Sequence, residues 1–226
     1  MKDTKQKQLE QAILDKACVK QDVYAVTKDI FSELKFVLGE VTNRVHDFIT
    51  PKDERIAIEL KTTGPHEAIM TLAGDTIVFH MHTNVFSFPA SHMIHKSPYV
   101  MKDSKNGYCG VINIYNFLTD SYRFNRLNDS GYLVGRIFVN RERHFFVEGK
   151  NQLGFLFNDF STRILDRESL KSVIETALLY VIDFDLYSPP YQTVKEVTLD
   201  DMQALSQDLK LKTGKRLGFL FENTGD

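Results

Sequence analysis

Four of the seven histidines of this chain fall within sixteen residues: His80, His82, His92 and His95. Alternate residues of a strand project to the same face, so His80 and His82 point together if residues 76–88 are extended. Paired imidazoles can hold a divalent metal or exchange protons near neutral pH. His92 and His95 complete a four-imidazole set if the segment after the strand folds back over it. Zinc takes three or four such donors, with His nitrogens at about 2.0–2.1 Å. No His-Glu-x-x-His or Cys-x-x-Cys motif accompanies them. Residues 89–107, which follow the predicted strand, show no clear period and also carry Lys96, Tyr99 and Lys102. Loops of this length are uncommon inside compact domains and are often functional.

A second candidate lies in Ile56-Ala57-Ile58-Glu59-Leu60-Lys61-Thr62-Thr63. Alternation puts Glu59 and Lys61 on one strand face. This apolar strand bearing Glu-x-Lys resembles the catalytic strand of the PD-(D/E)xK nucleases over some eight residues. The resemblance implies a carboxylate at Glu59 that binds Mg²⁺ and a lysine at Lys61 that positions the attacking water. That family places a further Asp on a preceding strand, where this chain has a predicted helix. Asp47 and Asp53 are the nearby carboxylates, and Asp53 is too close for an intervening hairpin.

A third candidate is the aromatic and arginine pattern from Tyr115 to His144. In an extended segment Tyr122, Phe124 and Arg126 share one face, with Arg123 and Asn125 on the other; Arg136, Arg141 and Arg143 follow. Such side chains on an open sheet can stack and hold a ligand or single-stranded nucleic acid. Asp120, Asp129, Glu142 and Glu148 nearly cancel the positive charge, and cross-strand Arg–acid pairs account for the same pattern. The residues read as ligand- or partner-binding are Tyr99, Arg123 and Arg136.

No Gly-x-Gly-x-x-Gly, Walker A or Gly-x-Ser-x-Gly element occurs, so nucleotide binding through those loops and hydrolysis on a nucleophile elbow are not indicated. Cys18 and Cys109 are the only cysteines and read as free thiols, with Cys109 a buried structural one. A net charge of −2 on 226 residues argues against a surface given over to nucleic acid or anionic lipid. The polar start and the absence of an 18-residue apolar run point to a cytoplasmic protein without a membrane span.

These candidates must be positioned by a fold that the hydrophobic period outlines. Residues 23–48 carry Val23, Val26, Ile30, Phe31, Leu34, Val37, Leu38, Val41, Val45 and Phe48 at helical steps. Residues 8–19 form a shorter helix that ends before Asp22, a potential N-cap, and Pro51 closes the segment. From Arg55 the period becomes two. Strands are expected at 55–61, 68–72, 76–88, 110–118, 122–127, 132–139 and 144–148, joined by short turns into an antiparallel meander.

Asp166 caps a helix whose stripe is Leu170, Val173, Ile174, Ala177, Leu178 and Val181. Ser188-Pro189-Pro190 is a stiff connector, and Thr198 and Asp201 resemble a capping box opening a helix to Leu209. Leu217-Gly218-Phe219-Leu220-Phe221 echoes Leu153-Gly154-Phe155-Leu156-Phe157 as two similar strands.

The expected architecture is one α+β domain. It has a helical segment at 1–50, an antiparallel sheet of about six to eight strands at 55–160, and C-terminal helices and a strand at 166–226. Helices cover one sheet face and leave the other open. Function then reads as a binding or interaction module that uses the open face and the 89–107 loop, with a protein or small molecule as partner, or a second copy of the chain. The alternative is a metal-dependent hydrolase at the histidines or at Glu59 and Lys61, with a divalent metal as cofactor.

Overall fold

Helix α1 runs unbroken from Lys2 to Ile49 in the computed structural model of the chain, which describes residues 2–199 other than 151, 186, 187 and 189. At 1.5 Å per residue it is about 72 Å long. The expected break near Asp22 does not occur. Neither Gly nor Pro precedes Gly39, so nothing in that stretch opposes continuation. Residues 4–18 are exposed, and burial begins at Val19. From there Val23, Ile30, Phe31, Leu34, Val37, Leu38 and Val41 line one buried stripe. The helix stops two residues before Pro51.

Six antiparallel strands follow in the order β1-β2-β3-β4-β5-β6: β1 Ile58–Lys61, β2 Glu67–Leu72, β3 Asp75–Met81, β4 Gly110–Leu118, β5 Tyr132–Val139 and β6 Phe145–Gly149. Between β3 and β4 lie two single-turn 3₁₀ segments, Met93–Lys96 and Ser104–Gly107, flanking a short helix α2, Pro98–Lys102. Helix α3, Thr119–Arg123, joins β4 to β5. Helices α4, Gln152–Leu156, α5, Arg167–Ile182, and α6, Tyr191–Val194, complete the described chain. None of the helices among the described residues is long and apolar enough to cross a membrane.

Helices α1 and α5 cover one face of the sheet, as the periodicity predicts. Their stripes meet Ile77, Phe79 and Met81 of β3, Ile112 and Ile114 of β4, Ile137 and Val139 of β5, and Phe145 and Val147 of β6. The six residues expected to form the α5 stripe are its six buried residues. Asp166 caps that helix by accepting from the Ser169 amide at 2.8 Å. Helix α1 lies so close to β4 that a Cβ at Gly110 would stand 2.0 Å from Thr27 Oγ1. Only a glycine admits that approach.

Strand β5 contains a β-bulge. Ile114 pairs with Gly135 and Tyr115 with Leu133, so Val134 is an extra residue on β5. Val134 is fully buried in the helix-covered core. Its insertion lets Leu133 and Arg136, three apart in sequence, both project to the opposite face.

That opposite face is half covered, which corrects the expectation of a fully open one. Residues 86–107 return across it, and Ile94, Val100, Cys109, Val111, Phe138, Phe146 and Phe160 form a second core with Phe88 and Tyr99 against its edge. The irregular spacing of these residues hides the cover from any periodicity test.

Three other expectations are corrected. Strand β3 ends at Met81, and Phe86 rejoins the sheet only through an isolated bridge to Cys109. Residues 122–127 are not a strand but the end of α3 and a turn, with Asn125 at φ 50°. Residues 153–157 fall mainly in α4 instead of a strand. Residues 217–221 and the predicted helix after residue 200 lie outside the described residues.

Candidate functional site

Strand register determines which side chains share the second face. Glu67 of β2 pairs with His80 of β3, His80 with Asn113 of β4, Asn113 with Arg136 of β5, and Arg136 with Glu148 of β6. A polar row therefore crosses five strands, about 19 Å at ~4.8 Å per strand. The next row toward the α3 end is Lys61, Ile69, Val78, Tyr115 and Leu133, apolar beyond its first member.

On either side of these two rows the face is covered. Phe88 packs on Phe138 and Phe146, with ring centroids 5.2 and 5.6 Å apart. At the other end Tyr122 sits edge-on to Phe117 at 5.6 Å. Burial and the nearby negative charge of Glu67 push the Tyr122 hydroxyl above its ordinary pKa. Between the two covers lie one polar and one apolar row, whose middle residues Val78 and Asn113 are themselves buried, while Arg136 and Leu133 stay partly exposed.

The polar row ends in a charged cluster. Arg136 donates to Glu148 Oε2 and lies 5.2 Å over the Phe138 ring. Glu148 Oε1 is 3.9 Å from His92 Nε2. His92 Nδ1 accepts from the Ile94 amide at 3.3 Å, so the neutral ring carries its proton on Nε2, the nitrogen facing Glu148.

Beyond this cluster opens a cleft of about 540 Å³, between the 93–96 turn, β6 and residues 158–161. Its lining includes Lys96, Phe146, Asp159 and Phe160 as well as His92 and Glu148. The volume is in the range of small-molecule sites. Hydrogen bonds from the Thr162 hydroxyl and the Ser161 and Thr162 amides hold the Asp159 carboxyl below its ordinary pKa.

The four histidines are engaged separately. His80 stands in the polar row. His82 Nδ1 accepts from the Asn84 amide at 2.9 Å and its ring meets Phe86 edge-on. His92 stacks on Phe88 at 4.4 Å, and His95 Nε2 is 3.1 Å from the Phe88 carbonyl oxygen. Among the described residues no three His, Cys, Asp or Glu side chains gather as a metal-holding group.

Glu59 and Lys61 share the second face at the short outer strand β1, exposed and 3.5 Å from each other. Of the two nearby carboxylates, Asp53 is bound by Arg55 through two hydrogen bonds of 2.8 and 2.6 Å.

Tyr99 serves the cover itself. Its hydroxyl donates to Glu142 Oε2 at 2.6 Å and accepts from Asn140 Nδ2 at 2.9 Å, and its ring stacks on His144 at 4.1 Å. Burial, with the Glu142 carboxylate second, pushes that hydroxyl far above its ordinary pKa. Arg123 is on α3 rather than a strand, 5.5 Å over the Phe124 ring.

Arg136 and His80 are thus the expected site residues that the structure places in one row, with Glu59 and Lys61 at the margin of the same face and His92 at the row's end. Sequence reasoning missed Glu67, Asn113 and the role of Glu148. A signal existed for Asn113: it is a lone amide inside the apolar run Gly110-Val111-Ile112-Asn113-Ile114. Comparison with protein-family models, curated proteins and solved structures finds no match to this chain.

Proposed function

We propose that this protein is a binding module that holds a small ligand in the cleft beside Glu148, where the polar row on the second face of its sheet ends. The observation that carries this reading is the cleft of about 540 Å³ between the 93–96 turn, β6 and residues 158–161, into which the Glu148–His92 end of the polar row opens. An antiparallel sheet with one helix-packed face normally leaves its other face to water. Here two separate connections, residues 86–107 and 119–131, build walls on that face, and the first of them closes one side of the cleft.

Binding fits the way the polar groups are used better than catalysis does. His92 has its Nδ1 occupied by a backbone amide, and Arg136 and Glu148 neutralise each other, which leaves no free acid–base pair at the row's end. In the cleft Phe146 and Phe160 supply area to a ligand, and Lys96, Glu148 and Asp159 supply direction.

The test is a screen of small polar aromatic compounds by thermal shift, with hits mapped on ¹H–¹⁵N spectra of the full chain. Hits should perturb amides of residues 92–97, 146–149 and 158–161. Hits that map consistently to other surfaces would refute the proposal.

A further inference from the structure

Helix α1 carries one period along nearly its whole length, but the domain uses only part of it. From Val23 to Val41 the stripe is buried. Toward the N-terminus Gln6, Leu9, Ile13, Lys16 and Lys20 continue it at the same alternating steps of three and four residues, the spacing that keeps one face toward a partner helix. Here it lies in water. Leu9 is 61% and Ile13 53% exposed, and Ala12 and Ala17 beside them are exposed as well. The domain holds this arm from another side, where Asp15 accepts from Lys105 Nζ at 3.2 Å.

The bare stripe has the relief of a helix-packing surface. Ala12, Ile13, Lys16, Ala17 and Lys20 line a shallow apolar hollow of about 310 Å³. Four of them, Ile13, Lys16, Ala17 and Lys20, stand at i, i+3, i+4 and i+7. That diamond is the hole that receives one side chain of a facing helix in knobs-into-holes packing.

We infer that this arm pairs antiparallel with the same arm of a second copy of the chain, Leu9 of each seated in the hollow of the other. The inference is independent of the cleft. Charge selects both the partner and the direction. With Leu9 opposite the partner's Ala17, Glu10 faces the partner's Lys16 and stands one turn from the partner's Lys20, and a two-fold axis repeats the set. Glu10 accepts from Gln6 at 3.0 Å, and among the described residues neither Lys16 nor Lys20 belongs to an ion pair. A parallel pair would instead bring Lys16 against Lys16 and Lys20 against Lys20 along the seam, like charges in contact.

The lengths agree as well. In this register the partner's Thr4 falls opposite Asp22, so each arm ends where the other enters its domain. At that point a notch of about 430 Å³, lined by Lys20, Gln21, Tyr24, Thr83, Asn84 and Val85, leaves room for the incoming first turn. The paired stretch is about 25 Å long at 1.5 Å per residue. That makes a small interface, and small interfaces form reversibly.

Sedimentation velocity of the full chain, at loadings from about 1 μM to about 1 mM, tests this. The chain should pass from monomer to dimer across that range. Ile13→Asp changes a side chain that the monomer leaves in water, so it should unfold thermally like the wild-type monomer yet stay monomeric throughout. Glu10→Lys should weaken dimerisation about tenfold. Adding Lys16→Glu and Lys20→Glu to Glu10→Lys should regain most of that loss.

A chain that is monomeric at every loading would overturn the inference, and slow hydrogen exchange at residues 6–17 in that monomer would assign the stripe to another part of the same chain. A dimer indifferent to Ile13→Asp uses a different surface and would overturn it too. Equal weakening in the triple variant and in Glu10→Lys would overturn the antiparallel register.

Discussion

Arg143 grips Glu33 through two parallel hydrogen bonds, at 2.9 and 2.6 Å, and so fastens the β5–β6 turn to the middle of helix α1. The same guanidinium donates twice to the carbonyl oxygen of Leu165, just before α5. Three elements distant in sequence converge on one side chain, held at a backbone φ of 66°. Bidentate arginine–carboxylate pairs are among the stronger polar contacts, although partial exposure reduces their net value. Arg143→Ala should cost about 1–2 kcal/mol, and Arg143→Lys most of that, because an ammonium cannot make the fork. Urea unfolding of both variants checks this; full stability in Arg143→Lys would show that charge alone suffices.

Acid stability follows from the same pair. The hydrogen bond from Arg143 holds the Glu33 carboxyl below its ordinary pKa. The Ser169 amide does the same for Asp166, and the Lys105 amide for Asp103. Each of these groups is a stronger acid in the folded chain than in the unfolded one. Their contribution is complete above about pH 4.5 and is lost as pH falls through the carboxylate range. Unfolding free energy should therefore be flat from pH 6 to 8 and decline below pH 5. Glu33→Gln should show a shallower decline; an identical slope would remove the pair from the account.

The alkaline limb has the opposite sign. Burial pushes the Cys109 thiol well above its ordinary pKa, so the unfolded chain ionises first as pH rises. Stability should fall above about pH 8.5. Cys109→Ala should flatten the profile between pH 8.5 and 10 while lowering the plateau slightly. A profile that keeps its wild-type slope would contradict this.

Gly110 tests the seating of α1 on the sheet. A Cβ there would lie 2.0 Å from Thr27 Oγ1 and 2.8 Å from Thr27 Cβ. Gly110→Ala should destabilise by about 3 kcal/mol, at the upper end for overpacking. Thr27→Ala leaves the Cβ clash in place. Thr27→Gly removes it at a helix cost of about 1 kcal/mol, so it should rescue Gly110→Ala in part. Additive losses in the double variant would show that the backbones, not these side chains, set the spacing.

The cover over the second face should open without unfolding the sheet. Phe88 is its main tie, stacked on His92 and packed on Phe138 and Phe146. Phe88→Ala should speed hydrogen exchange at residues 93–107 by about tenfold or more, while amides of β3 and β4 stay protected. Equal loss of protection in both would mean that cover and sheet form one cooperative unit.

Much of this architecture was legible in the chain. The 110–118 and 132–139 strands and the six-residue stripe of α5 appear where their periods put them, because each packs one face against a regular surface. Residues 122–127 misled, since Tyr122, Phe124 and Arg126 alternate like a strand while Thr119-Asp120-Ser121 supply a helix start. The polar row was half legible. His80 and Arg136 stood out by type, but their shared row depends on the pairing of β3, β4 and β5, a long-range property. The walls were illegible because Phe88, Ile94, Val100 and Tyr122 pack as single anchors with no repeating interval.

The bulge at Val134 makes the two ends of β5 answer to different alternations. Upstream of it, Leu133 belongs to the apolar row; downstream, Arg136 belongs to the polar one. Were Val134 deleted, Leu133 and Gly135 would become neighbours and pair in plain register with Tyr115 and Ile114, so Leu133 and Arg136, then two apart, would still share the second face. An insertion or deletion of one residue anywhere else in β5 would instead turn one half of the strand over. The surplus valine therefore gives the helix-covered core an extra side chain without disturbing the surface chemistry of the opposite face.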